Sequence, residues 1–218
     1  MGLSASNLVH VPRGYAESAV QDPKGLCPRA FACKYVTNSE VLFANHVPSS
    51  MVGTIAGFHL KYADGQTAFT YDGFPTRPRY RLLDPLGELL GEVEPVVSAI
   101  PLVFIKNGSN VVALVARSSS SVFFMSELHC WVLGEPLEHS EALKHINELM
   151  QTPPDFVIHS WSGSQHLTIR HNGSVIFKSH LERTSSTLSY HWHIAALVDS
   201  ALLLLVNQAA TLLRMPQS

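Results

Sequence analysis

The chain has 218 residues, is 46% hydrophobic and only 15% charged, and carries a formal net charge of -2 with histidine neutral. That composition supports a large core and excludes global disorder. The near-neutral balance supplies no basic field, so nucleic acid is not expected as a partner. Twelve histidines make the net charge sensitive to mild acid. The three cysteines, Cys27, Cys33 and Cys130, form no dense disulfide framework, which fits a reducing compartment. The N-terminus lacks a basic stretch followed by an apolar one, so no secretory signal is read, and the expected location is the cytoplasm.

The chain opens Met1-Gly2-Leu3-Ser4-Ala5-Ser6. Glycine second and serine sixth match the N-myristoylation pattern, in which the Gly2 amine is acylated once Met1 is removed. The alternative is an ordinary frayed terminus. One myristoyl chain anchors only marginally, so a second signal is expected. Cys27 and Cys33 are the candidate palmitoylation sites, with Lys24, Arg29 and Lys34 near them; two buried or idle thiols are the competing reading. Pro12, Gly14, Pro23, Gly25 and Pro28 make residues 1–38 a loop-rich arm, and residues 39–218 the folded domain.

From there the chain reads as successive strands. Val41 to Val47, Gly53 to Tyr62 and Thr67 to Tyr71 are rich in β-branched and aromatic residues. Ala63-Asp64-Gly65-Gln66 separates the last two as a hairpin turn. Arg79 to Val93 is a clearer hairpin around Asp84-Pro85-Leu86-Gly87, where Pro85 presets a corner and Gly87 permits positive φ. Leu102 to Ile105 pairs with Val111 to Arg117 across Asn107-Gly108, and Val122 to Leu133 is a long strand. Residues 140–150 change period: Leu143, Ile146, Leu149 and Met150 recur at helical spacing, Ser140 is placed to cap, and Pro153-Pro154 follow. This predicts a surface helix. Phe156 to Trp161, His166 to Arg170, Val175 to His180 and Thr187 to His193 complete eleven or twelve strands, with Asn172-Gly173 as another tight turn.

The last apolar run, Ile194 to Leu213, contains no Gly or Pro and is closed by Arg214. It predicts a helix over 194–214, about 30 Å long and apolar almost all round, which must be surrounded by lipid or protein. Asp199 decides between them, because a carboxylate inside a membrane span costs about 2.5–3.5 kcal/mol. A helix buried in its own domain is the preferred reading; a tail anchor is the rival.

No catalytic motif is present. Ser160-Trp161-Ser162-Gly163-Ser164 lacks the first glycine of a nucleophile elbow, and neither a phosphate-cradling loop nor H-E-x-x-H occurs. No catalytic residue, cofactor or metal is therefore assigned. His191 and His193 share a strand face as a possible metal pair, but nothing at strong spacing completes it, with His129 and Cys130 as lone candidates.

The order of elements resembles the tubby C-terminal-like fold, shared by tubby, phospholipid scramblases and LURP-one-related proteins. The LURP-one-related hairpin, strand, Asp-x-x-Gly, strand, is similar to Tyr80-Arg81-Leu82-Leu83-Asp84-Pro85-Leu86-Gly87-Glu88-Leu89-Leu90-Gly91-Glu92-Val93. Its ending is similar to His193-Ile194-Ala195-Ala196-Leu197-Val198-Asp199-Ser200-Ala201-Leu202-Leu203-Leu204-Leu205. The resemblance covers about residues 40 to 214 and implies a mainly β (α+β) fold, a closed antiparallel barrel of about twelve strands around a central hydrophobic C-terminal helix. Elementary physics agrees: closure removes strand edges, and a lumen this wide needs an occupant. Leu203 and Leu204 would fill it, while Asp199 would need a hydroxyl, Arg or backbone donor.

Anionic phospholipid headgroups are the ligand class the resemblance implies. Arg77, Arg79 and Arg81 alternate along one strand entry and, with Lys61, form the candidate phosphate-binding patch; a solvated strand face is the competing reading. Tubby's own lipid-binding residues find no positional match here, nor does the acidic calcium-binding segment of scramblases, so scramblase activity does not follow. The expectation is a non-enzymatic adaptor or lipid-responsive module on the cytoplasmic face of a membrane, with a protein partner the sequence does not name. The alternatives are a carrier of an apolar ligand in the lumen and a tail-anchored protein.

Overall fold

In the computed structural model, which describes residues 19–31, 33–36, 38–48, 57–73, 80–118, 125–161, 166–183 and 187–214, the alternating segments become strands. They are β1 (Val41–Pro48), β2 (Gly57–Lys61), β3 (Thr67–Gly73), β4 (Tyr80–Leu83), β5 (Leu89–Val96) and β6 (Leu102–Asn107). They continue as β7 (Asn110–Arg117), β8 (Met125–Glu138), β9 (Phe156–Trp161), β10 (Leu167–His171), β11 (Ser174–Arg183) and β12 (Thr187–Ile194). Every pairing is antiparallel, each strand lies beside its sequence neighbours, and β1 closes the ring against β12. The closing seam runs from Val41 opposite Ile194 to Pro48 opposite Thr187. The result is a closed twelve-stranded barrel.

The turns form where the sequence places them, for identifiable reasons. Asp84 Oδ1 accepts the amides of Leu86 and Glu88 at 2.9 and 3.0 Å, and Gly87 follows at φ 84°. The aspartate thus supplies backbone partners within the turn, and the glycine takes a conformation closed to side chains. Asn172 and Gly173, at φ 48° and 80°, form the corresponding tight turn between β10 and β11.

Helix α1 (His139–Leu149) lies outside the barrel. Its N-cap is Glu138, which makes no side-chain cap bond; the expected cap Ser140 sits inside the helix instead. Ala142 is buried, and Ile146 and Leu149 pack with it over Leu102, Phe104, Leu114 and Trp131, forming a small second core on the outer face of β6–β8.

Helix α2 (Ser200–Arg214) occupies the lumen. Ala201 through Val206 are at most 1% exposed. The Tyr71 hydroxyl of β3 donates to Leu204 O at 2.7 Å, and Ser179 of β11 donates to the Asn207 side chain at 2.9 Å. Arg117, at the end of β7, donates to Leu213 O at 3.1 Å. Leu205 lies so close to Gly91 of β5 that a Cβ there would fall 2.8 Å from Leu205 Cδ1.

The helix is shorter than the expected 194–214. Ile194 is still strand, opposite Val41 and Phe177, and Ala195 N continues the pairing to Ile176 O. Leu197 then turns the chain at φ 63°. Fifteen helical residues rise only about 22 Å. Among the described residues, no helix is long and apolar enough to cross a membrane.

Candidate functional site

Asp199 is not inside the helix but caps it. Its Oδ1 accepts Leu202 N at 3.0 Å, the N-cap bond of a helix beginning at Ser200. Its Oδ2 accepts Ala30 N and Phe31 N at 3.1 and 2.9 Å. Both carboxylate oxygens are therefore held by backbone donors, one of the partner types expected for it. Burial nevertheless raises its pKa, with the amides of Leu202, Phe31 and Ala30 opposing.

Those contacts fasten residues 19–31 and 33–36 across the mouth of the barrel where α2 begins. Gln21 N donates to Val175 O at 2.7 Å, and the Asn172 side chain donates to Lys24 O at 2.9 Å. At the other end of the strap Val36 bridges to Asp199, and the Ser200 hydroxyl donates to Tyr35 O at 2.7 Å. Lys34 comes within 3.8 Å of Asp84. The strap therefore crosses from the β10–β11 turn to the β4–β5 turn, with Val20, Cys27 and Tyr35 as part of the main core.

This placement bears on the lipidation candidates. Cys27 is 3% exposed. Its thiol is pushed up to about 12, by burial first and then by Asp199, against the opposing charge of Arg29. A thiol so buried and so reluctant to ionise is what the competing reading of a buried, idle cysteine expects. Cys33 begins a short 3-10 turn, Cys33–Tyr35. Gly2 lies outside the described residues.

The headgroup patch is described only in part. Arg77 and Arg79 lie outside the described residues. Arg81 sits on β4 opposite Asp72 on one side and Glu92 on the other, 4.0 Å from the Glu92 carboxylate. Lys106 joins the same group at 3.7 Å from Glu92 and 3.0 Å from Glu94. Lys61 is exposed but four positions along β2 from Gly57, which faces Asp72; that is about 13 Å from Arg81's level of the sheet. Lys61 and Arg81 are therefore not brought together.

The outer wall of β8–β12 carries a richer constellation. On β11 and β12 the inward residues Phe177, Trp192 and Ile194 are buried in the core. Alternation turns His180, Glu182, His191 and His193 outward. His180 stands opposite His191 in the register, their rings stacked at 4.8 Å. His166 stacks on the far side of His180 at 5.9 Å. Glu182 faces both neighbours, 3.6 Å from His180 Nε2 and 3.6 Å from His191 Nε2. His193, the partner expected for His191, instead meets Glu40 at 3.2 Å. On β8 and β9, Glu127 lies 2.9 Å from His129 and 3.4 Å from His159. Burial lowers the pKa of His159, His166 and His180, and for His180 the charge of His191 adds to it.

The sequence exposed His191 but not its companions. His180 and Glu182 reach it through cross-strand register, which no local spacing encodes; the hairpin between β11 and β12 was the available signal.

Twelve antiparallel strands closed around a C-terminal helix fit the tubby-like barrel fold. Among solved structures, a protein from Arabidopsis thaliana is similar, with a TM-score of 0.55 at 14% identity over 84% of this chain and 97% of that one. At that identity the likeness is one of fold. No family model matches the chain, and no curated protein does.

Proposed function

We propose that this protein is a non-enzymatic, tubby-like binding module of LURP-one-related type, held at the cytoplasmic face of a membrane by a myristoylated Gly2. The observation that carries the reading is the occupied lumen. α2 lies in the lumen behind the strap at Asp199, whereas the carrier alternative needs this helix outside it. The tail-anchor alternative needs about twenty apolar helical residues, and α2 has 15. Ligand contact then falls to the outer wall and the loops. Attachment rests on the acyl chain, with Lys61, Arg77 and Arg79 as secondary contacts to anionic phospholipid; Arg81 contributes less, being matched by Glu92. A protein partner of unassigned identity would be met on the same outer surface.

The test is a cell fractionation with an alkynyl myristate label. Wild-type protein should take up the label and sediment with membranes, and Gly2→Ala should lose both properties. Absence of label on the wild type, or unchanged sedimentation of Gly2→Ala, overturns the reading.

A further inference from the structure

The outer-wall group on β11 and β12 has the composition and spacing of a chelate. His180 and Glu182 project from the same face of β11, and His191 projects beside His180 from β12. One ligand atom from each lies within 4.8 Å of the others. Each Glu182 oxygen faces a different imidazole at 3.6 Å, beyond the reach of a good hydrogen bond. A tetrahedral zinc ion with nitrogen and oxygen ligands at about 2.0–2.2 Å sets those ligands about 3.4 Å apart. The carboxylate–imidazole spacing already matches; the two near-parallel rings, 12° apart, must swing out of their stack for both lone pairs to meet one ion.

From this geometry we propose that His180, Glu182 and His191 bind a divalent transition-metal ion of the zinc type on the outer wall of the barrel. Two imidazoles and a carboxylate form a borderline donor set that suits zinc over calcium or magnesium, which prefer oxygen alone. The hairpin register presets two of the ligands, since His180 and His191 are direct cross-strand neighbours. His166, flat against His180, restrains that ring from the side away from His191. Three protein ligands leave a fourth position for water or for a donor from another molecule. The neighbouring Glu127 group shows the contrasting case: its carboxylate is 2.9 Å from His129, at ordinary hydrogen-bond distance. The site is independent of the membrane reading.

The experiment titrates zinc chloride into the full-length, tag-free, chelator-stripped protein by calorimetry in excess magnesium. A single saturable zinc equivalent is expected. His180→Asn and His191→Asn should each weaken it at least about tenfold, since even outer-sphere changes cost that much at zinc sites. Glu127→Gln and His145→Asn should leave it unchanged. A zinc equivalent that survives the His180→Asn/His191→Asn double variant overturns the proposal, as does the absence of binding. Misfolding of variants is bypassed with the wild type alone. Zinc should shield His180 and His191 from diethyl pyrocarbonate, read by peptide mapping, and equal modification with and without zinc also overturns it.

Discussion

The two faces of β11 and β12 are built from alternate residues of the same few turns of sequence, yet they solve opposite problems. Inward, Phe177, Trp192 and Ile194 surround a helix whose Ala201 to Val206 are almost fully buried, and Ser179 supplies a bond to Asn207. Outward, His180, Glu182 and His191 stand in partial contact with solvent at spacings longer than hydrogen bonds. The inner face gains from removing apolar area from water, and its polar atoms must be paired to be there at all. The outer face gains little from any single contact. On these two strands stability therefore rests on the lumen face, and the wall is the face left in contact with solvent.

The harshest way to break that division is Leu204→Asp. It places an unpaired carboxylate at a fully buried position in the lumen, at an expected cost of about 4 kcal/mol or more. Ending the chain at His193 should be worse still, because it empties the barrel. In both cases the expected outcome is aggregated protein without a cooperative thermal transition. A folded, monomeric chain ending at His193 would reject the lumen as the source of stability.

Asp199→Asn comes next. Both carboxylate oxygens accept backbone amides, Oδ1 from Leu202 and Oδ2 from Ala30 and Phe31. An amide side chain must point its NH2 at one of these donors in either orientation. The expected loss is about 1–3 kcal/mol, read as a lower denaturant midpoint. Relief of the buried charge opposes it, since burial already raises the carboxyl pKa; unchanged stability would mean that this relief equals the two-sided bonding. Gly91→Ala should cost about 1–3 kcal/mol, because its Cβ would meet Leu205 Cδ1 and Lys106 O at 2.8 Å and Phe31 Cζ at 2.9 Å. Adding Leu205→Ala should recover part of that loss.

These residues also mark where the sequence was readable. Turn chemistry is local, so Asp84-Pro85-Leu86-Gly87 and Asn172-Gly173 announce their hairpins, and strand periodicity fixes most of the barrel. The start of α2 was obscured because Ile194 to Val198 are as apolar as the helix itself. Composition does not distinguish a strand end and a crossing from a helix, whereas an aspartate three residues before Leu202 was a legible N-cap. The strap was hidden for a different reason. Residues 19–31 and 33–36 carry turn formers, and their docking depends on distant partners such as Val175, Asn172 and Asp199. The wall site depends likewise on register between strands.

On the outer face, the same kind of substitution should hardly register in stability. Glu182→Gln removes a carboxylate that is 64% exposed, and the change in unfolding free energy without metal should stay within about 0.5 kcal/mol. A loss of several times that amount would mean that the outer wall is structural after all.

The mildest probe is pH, and it reads the wall rather than the lumen. His159 is 9% exposed on the outer face of β9. Burial lowers its pKa despite the nearby Glu127 carboxylate, with Arg170 and His129 adding to the depression. The folded state thus prefers the neutral ring, while the unfolded chain takes up its proton at the ordinary histidine value of about 6.5. Above that pH neither state is protonated, and the contribution is fully present. As pH falls below it, the unfolded state gains protons first, so stability declines until the folded-state pKa is passed. The thermal midpoint should therefore drop between about pH 7 and pH 5, and His159→Asn should flatten that slope without changing its sign, because His166 and His180, also lowered by burial, contribute. A variant whose midpoint falls as steeply as the wild type would show that the Glu127 carboxylate stabilises the charged ring enough to cancel its burial.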